Sequence, residues 1–306
     1  MENREEILSK LLEDNLIFND LSEELKNDKS FILDMVEQDG LMIRLISEKL
    51  KNDPEVVLTA IKENGQALCY ANINFRDNKD VVMEAVKSDG TALQFANEEL
   101  KNDREIVLTA VKQSSFALKS ASEKLKDDKE IVTIAVKLRS MALTFASRRL
   151  KNDKGIVLEA VTKYGLSLAY ASDELKNDKD IVMIAVKQDG RALEFVSEEL
   201  QNDDDVVLET IKKDGYSLRY ANKRFRNNMD IVLLAMSENV VSFKLASEEL
   251  RKNKKFLYEV KSQLENEKES FVEVLAMINL YQREDELMDT LNKNVVEKLS
   301  KKKNKI

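Results

Sequence analysis

The carboxylates are the side chains best suited to chemistry, and their densest run is Asp203, Asp204 and Asp205. Such a run could bind a cation or supply a general acid and base. A calcium loop needs ligands spaced around a glycine turn, however, and a glycosidase-like pair needs one carboxyl buried in a cleft. The same acidic position recurs at Asp53 and Asp103. We therefore expect the run to cap a helix, and we predict no metal site.

Other catalytic groups are scarce. The chain has no histidine and a single cysteine, Cys69. Without histidine it lacks the usual general base, proton shuttle and transition-metal ligand. Cys69 stands where other repeats carry polar side chains, which suggests an exposed thiol without a base to activate it. These observations predict a protein that is not an enzyme and uses no cofactor.

A stripe of lysines recurs every twenty-five residues, at Lys62, Lys87, Lys112, Lys137, Lys187 and Lys212. One cation per repeat could follow a nucleic-acid backbone. The same lysines could instead stabilise the carboxyl ends of helices. The net charge of -8 and the interleaved acids make nucleic acid an unlikely partner, so a nucleic-acid-binding array is kept as the alternative function.

The elements that carry these residues follow an unbroken period. Leucine or phenylalanine returns every twenty-five residues, at Leu25, Leu50, Phe75, Leu100, Leu125, Leu150, Leu175, Leu200, Phe225 and Leu250. A fixed period of this length is typical of repeat proteins, in which each unit buries its apolar face against its neighbours. The period predicts an all-α fold, an α-solenoid of about ten 25-residue helix–turn–helix hairpins with terminal capping helices.

The repeat from Leu100 to Leu125 serves as an example of one hairpin. Asp103 is placed to cap a first helix whose apolar stripe is Ile106, Val107, Ala110 and Val111. A shorter second helix is expected to carry Ala117, Leu118, Ala121 and Leu125. Most repeats have glycine between the two helices, and we expect it to adopt the left-handed conformation that ends a helix.

A serine or asparagine occupies one repeat position without exception, at Ser22, Ser47, Asn72, Asn97, Ser122, Ser147, Ser172, Ser197, Asn222 and Ser247. These side chains could cap the turn between hairpins or form a ladder that binds a ligand. Capping is the favoured interpretation.

The string DKDIVMIAVKQDGRALEFVSEEL, from Asp178 to Leu200, resembles the tandem repeat family called domain of unknown function 4116. The resemblance extends over roughly residues 16–260, and it implies a unit of about fifty residues, or two hairpins. It implies no catalytic residue, cofactor or substrate. The chain departs from the family pattern at Ser114–Ser115 and Arg139–Ser140, where glycine is absent, and after Val240, where the pattern decays.

The predicted organisation has four parts. Residues 1–15 form an N-terminal capping helix, 16–260 the repeat array, 261–300 the C-terminal capping helices and 301–306 a disordered basic tail. No apolar run is long enough to span a membrane, and no signal peptide is recognisable. We expect a cytoplasmic protein without membrane contact, with secretion lacking a cleaved signal left open.

The centre of the array has apolar and arginine side chains where other repeats are polar or acidic. These residues are Phe116, Leu138, Arg139, Met141, Arg148, Arg149, Tyr164 and Leu166. Aromatic, methionine and arginine enrichment is typical of protein-binding hot spots. Local repacking after the loss of two glycines would explain the same residues. The first interpretation predicts a scaffold that binds a protein partner along one face of the array.

Overall fold

The computed structural model describes residues 4–264, together with 276, 278–280 and 283. These residues form helices and turns, and none of them lies in a β-strand, which confirms the all-α prediction. The chain divides into two compact units. One holds the described residues up to Ala160 together with Tyr170–Ser172, and the other holds Val161–Ala169 and the described residues from Asp173 onward.

Each repeat begins with one α-helix of ten residues, capped by an aspartate or asparagine in most repeats. Asp103, for example, accepts hydrogen bonds from the backbone N–H groups of Glu105 and Ile106, at 2.9 and 3.2 Å. Proline is at the start of one of these helices, where its missing N–H is tolerated. The long helices, including one before the first repeat and one of eleven residues after the last, are Arg4–Glu13, Lys29–Gln38, Pro54–Glu63, Lys79–Ser88, Arg104–Gln113, Lys129–Leu138, Lys154–Lys163, Lys179–Gln188, Asp204–Lys213, Met229–Glu238 and Lys254–Leu264.

The second half of each repeat differs in detail from the short helix that we predicted. It consists of a six-residue 3-10 helix followed by an element of about one turn. The 3-10 helices are Asn15–Asp20, Gly40–Leu45, Gly65–Tyr70, Gly90–Phe95, Ser115–Ser120, Ser140–Phe145, Gly165–Tyr170, Gly190–Phe195, Gly215–Tyr220 and Val240–Leu245. The one-turn elements are Glu23–Asn27, Leu50–Asn52, Ile73–Arg76, Leu100–Asn102, Leu125–Asp127, Arg148–Lys151, Leu175–Asn177, Leu200–Asn202, Lys223–Arg226 and Glu248–Arg251.

The predicted role of the glycines was wrong. No described glycine has a positive φ, and the break after each long helix is made by the extended residue before the glycine. Glycine is needed because the next repeat approaches closely. A Cβ added to Gly65 or Gly90 would lie 2.2 or 2.1 Å from the carbonyl oxygen of Ala85 or Ala110, twenty residues further along the chain.

The apolar residues of each repeat form a continuous core within each unit. In the example repeat, Ile106, Val107, Ala110, Val111 and Leu118 are buried, as are Ala117, Ala121 and Leu125, so the predicted core is confirmed. The small side chains at the alanine positions allow the backbones of neighbouring helices to approach. A larger side chain at one of these positions would hold the backbones further apart.

The recurrent serine both caps a turn and joins two repeats. The Ser122 hydroxyl accepts a hydrogen bond from Leu125 N–H at 3.3 Å and donates one to the Asn102 side chain at 2.7 Å. The Ser122 backbone N–H donates to the carbonyl of Lys101 at 2.9 Å. Capping was predicted from the sequence, whereas the link to the previous repeat was not.

A ladder of ion pairs also joins successive repeats. The basic residue that opens one long helix contacts the capping aspartate of the next, as in Lys29–Asp53 at 2.8 Å and Lys129–Asp153 at 2.6 Å. The hydrogen bond from Lys29 is the main cause that lowers the pKa of Asp53, and the one from Lys129 lowers the pKa of Asp153 in the same way. The capping carboxylates therefore remain charged under acidic conditions that would protonate an isolated aspartate.

Capping helices were predicted at both ends of the array. The first helix buries Leu8 and Leu11, and Arg4 lies 3.7 Å from Asp28. Most of the predicted C-terminal capping helices and all of the predicted disordered tail lie outside the described residues. Ile278 is one of the few described positions in this part of the sequence, and its side chain is buried. Within the described part of the chain, no helix combines the length and apolar character needed to cross a membrane.

Candidate partner-binding site

The regular repeats close the gap between the long helix and the 3-10 helix with a capped turn. Asp89, just before Gly90, accepts hydrogen bonds from the Thr91 backbone N–H at 2.8 Å and from the Thr91 hydroxyl at 2.7 Å. Its other carboxylate oxygen accepts one from Gln66 at 2.7 Å. We call the turns at Gly65 and Gly90 the glycine junctions. Their polar surface is occupied by hydrogen bonds within the protein.

The central repeats replace this turn with a different one. We call the turns at Ser115 and Ser140 the serine junctions. The residues before them, Ser114 and Arg139, make no side-chain capping hydrogen bond. Each serine also carries the Cβ that Gly90 lacks, and a Cβ leaves no room for an approach as close as that of Ala110 to Gly90. Two successive repeats of the first unit thus lack both the cap and the glycine that permits this approach.

Large exposed side chains appear at the serine junctions. Phe116, Leu138 and Met141 are 44, 57 and 40% exposed, and Arg139 is also exposed. We call these four residues the central strip. They lie at the start of two successive 3-10 helices or at the end of the long helix between them.

Two ring contacts connect the strip across repeats. The Arg139 guanidinium lies 5.0 Å from the centre of the Phe116 ring, within the range of a cation–π interaction. The Phe116 ring is also tilted against Phe145, with ring centres 6.1 Å apart. Phe145 was not among the predicted site residues, because aromatic residues recur at its position in other repeats and gave no reason to single it out. These contacts hold Phe116 at the surface and do not bury it.

The other predicted residues are placed differently. Arg149 is exposed but engaged, since its Nε lies 3.1 Å from both carboxylate oxygens of Asp127. Arg148 is exposed, and none of the described residues forms an ion pair with it. Tyr164, which is 39% exposed, and the half-buried Leu166 belong to the second unit. The structure thus brings together only the four residues of the central strip.

The lysine stripe lies in the last turn of the long helices, as expected for cations that stabilise helix ends. Two of its members pair within their own helix, Lys87 with Glu84 at 2.7 Å and Lys212 with Glu209 at 3.7 Å. Such pairing reduces the charge that the stripe presents to a polyanion.

The remaining chemical candidates have structural roles. Asp203 caps its helix, while Asp204 pairs with Arg224 and Asp205 with Lys179, both at 2.8 Å. No group of acidic or cysteine side chains among the described residues is arranged to hold a metal ion. Cys69 is half-buried, less exposed than its sequence position suggested.

The repeated helices, the close glycine contacts and the ladders between repeats define an all-α solenoid repeat protein. The family model described as a domain of unknown function (DUF4116) matches seven segments, residues 3–51, 28–76, 78–126, 103–151, 128–176, 153–201 and 203–259. The chain belongs to this family. Several matches overlap by one 25-residue repeat, so no single pairing of hairpins is favoured. Neither the curated proteins nor the solved structures contain a match to the chain.

Proposed function

We propose that this protein is a non-enzymatic repeat scaffold that binds a protein partner through the central strip. The observation that carries the proposal is the exchange at the serine junctions. Two repeats give up a capped turn, and exposed Phe116, Leu138, Arg139 and Met141 stand in its place. A helix cap is worth about 1 kcal/mol, so its loss is costly unless the new side chains serve another purpose.

The chemistry of the strip specifies the kind of partner. Burial of an exposed aromatic or methionine side chain contributes roughly 1.5–3 kcal/mol from the apolar surface removed from water. Arg139 already lies over one ring and can still donate hydrogen bonds to a carboxylate at its edge. The partner surface that fits is apolar and bordered by acidic residues.

Two further parts of the proposal rest on the sequence. The absence of histidine supports a protein that is not an enzyme, and the single cysteine, too few for a disulfide within this sequence, supports a reducing, cytoplasmic location. The alternative, a nucleic-acid-binding array using the lysine stripe, is less favoured because Lys87 and Lys212 are paired with acids.

Site-specific photocrosslinking tests where a partner binds. A crosslinking amino acid placed at Met141 should capture a protein, whereas the same group at Val241 should not. Val241 occupies the same repeat position in the second unit and is exposed to the same extent, 41% against 40% for Met141. Equal capture at both positions would contradict the proposal.

The captured protein, once identified and purified, allows the affinity to be measured. Met141→Asp should weaken binding by about 2 kcal/mol or more, a typical hot-spot value, because a charge would be buried against apolar surface. Val241→Asp should leave the dissociation constant within twofold. Binding unaffected by Met141→Asp, or salt-dependent oligonucleotide binding lost on neutralising Lys62 and Lys112, would favour the alternative.

A further inference from the structure

Lysine recurs at one position of the one-turn elements, and its side chain is largely covered by the protein there. The Lys51 and Lys101 side chains are only 16 and 18% exposed. Each forms an ion pair with the acid three residues earlier, Lys51 with Glu48 at 2.9 Å and Lys101 with Glu98 at 2.9 Å. The acid on the same turn therefore compensates for the loss of hydration around the lysine amine.

Lys151 occupies the same repeat position and lacks this acidic partner. The residue three positions before it is Arg148, and neither side chain forms an ion pair with any of the residues that the structure describes. Lys151 is half-buried, and burial lowers the pKa of its amine with no carboxylate to oppose the effect. The lysines of the two flanking repeats keep their acids, in the pairs Lys126–Glu123 at 2.8 Å and Lys176–Asp173 at 3.6 Å.

Two cations with the same spacing also occur in the second unit, at Lys223 and Arg226. There the residue at the position of Lys151 is an arginine, whose guanidinium is not deprotonated in proteins and so is no nucleophile. A lysine amine, in contrast, becomes a nucleophile once it loses its proton, and burial favours that loss. Among the described lysines at this repeat position, only Lys151 has no acid beside it.

The surrounding contacts hold Lys151 in place without supplying a counterion. Its backbone N–H donates to the carbonyl of Ser147 at 2.9 Å, and its carbonyl accepts from the Ser172 N–H at 3.0 Å. Asp127, in the preceding repeat, is engaged by other groups, since it accepts hydrogen bonds from the Ser147 hydroxyl and from Arg149 Nε, the latter at 3.1 Å. The amine thus extends from a fixed turn on which its neighbour in the ion-pair position is a cation.

We propose that the Lys151 amine reacts with carbon dioxide and that the resulting carbamate forms an ion pair with Arg148. The neutral Nζ attacks the carbon of carbon dioxide. An N–C bond forms, one C–O π bond breaks as its electron pair moves to oxygen, and the nitrogen releases a proton to water. The product is an anion, so the turn regains the ion pair of the other repeats with the two charges exchanged. An acyl group would neutralise the amine without giving Arg148 a counterion, which favours carbon dioxide over an acyl donor.

Chemical trapping tests this site. The full chain is equilibrated with isotopically labelled bicarbonate and carbon dioxide, then treated with triethyloxonium, which converts a carbamate into a stable ethyl ester that peptide mass spectrometry locates. Lys151 should carry at least fivefold more ester than Lys126, the matched control within the same chain, which occupies the same repeat position and pairs with Glu123. Arg148→Glu restores the usual acid and should lower the ester at Lys151 at least fivefold, because the acid holds the amine in its charged form and repels a carbamate.

The converse substitution tests whether the arrangement is sufficient. Glu123→Arg gives Lys126 the neighbour that Lys151 has, and it should raise the ester at Lys126 at least threefold. The proposal is overturned if Lys151 and Lys126 are labelled equally in the parent, if Lys151 carries no ester, or if either substitution leaves the labelling unchanged. Circular dichroism shows whether each variant is folded, and Arg148→Gln, which removes the cation without adding an acid, provides the comparison if Arg148→Glu unfolds.

Discussion

The glycine junctions and the serine junctions of the first unit occupy the same repeat position but differ in how the turn is capped and in which side chains they expose. At Gly90 the next backbone approaches so closely that a Cβ would lie 2.1 Å from an oxygen, and Asp89 caps the turn. At Ser140 a Cβ is present, no side chain caps the turn, and Arg139 and Met141 are exposed. The comparison indicates that the regular repeats have close backbone packing between repeats, whereas the central repeats have exposed side chains at the same position.

The largest effect is expected from transferring a serine to a glycine junction. Gly90→Ser should destabilise the protein by about 3 kcal/mol, because the added Cβ meets backbone that cannot move aside without separating two repeats. The converse change, Ser115→Gly, should cost at most about 1 kcal/mol, from chain entropy alone. Guanidinium denaturation of both variants gives the comparison. Equal destabilisation would show that the two junctions pack alike.

Substitutions of the residue before the turn should also destabilise a glycine junction more than a serine junction, by a smaller amount. Asp89→Ala removes the acceptor for two hydrogen bonds from Thr91 and should cost about 1–2 kcal/mol. Arg139→Ala removes no cap, only the exposed cation–π contact with Phe116, and should lower the free energy of unfolding by about 0.5 kcal/mol. If Arg139→Ala were as destabilising as Asp89→Ala, the serine junctions would hold a stabilising contact in place of the cap.

The ion-pair ladder should not distinguish the two kinds of junction. Lys29 pairs with Asp53 and Lys129 with Asp153, and in each case the lysine hydrogen bond lowers the pKa of the aspartate. A carboxyl whose pKa is lowered by folding stabilises the protein above its unfolded pKa, and that contribution is lost as pH falls through the folded value. Stability should therefore decline in the acidic range below about pH 4.

Replacing the lysines isolates this contribution. Lys29→Met and Lys129→Met should each destabilise the protein only slightly at neutral pH, as expected for ion pairs exposed to solvent. Each variant should also lose less stability than the parent on acidification. Denaturation at several pH values measures both effects. A much larger effect in one variant would show that the ladder depends on the type of junction.

The sequence predicted the parts of this architecture that follow from local physics. Helix starts at aspartate caps, the apolar stripe from Ile106 to Val111 and the exposure of Phe116 and Met141 were all confirmed, because capping, periodicity and polarity at equivalent positions are visible within one repeat. The role of Gly90 was misjudged because its constraint comes from Ala110 in the next repeat. A glycine required by packing and one required by a left-handed turn look the same in a sequence.

The contacts between repeats were missed for the same reason, although signals existed. A basic residue recurs directly after the capping aspartate, as at Lys29 and Lys129, and an asparagine or aspartate recurs twenty residues before the serine, as at Asn102. Both patterns predict a ladder only when the stacking of one repeat on the next is known. The central strip was found from the sequence because it departs from the repeat, but its contact with Phe145 was not.

The most direct test of the central claim rebuilds a regular capped turn at a serine junction. The double variant Arg139→Asp, Met141→Thr introduces the aspartate and threonine that form the cap at Asp89 and Thr91. We expect the free energy of unfolding to rise by about 1 kcal/mol, because a cap is gained. We also expect affinity for the crosslinked partner to fall at least tenfold, because two residues of the central strip are lost. Undiminished binding, or a variant less stable than the parent, would contradict the view that these repeats give up a cap to form a binding surface.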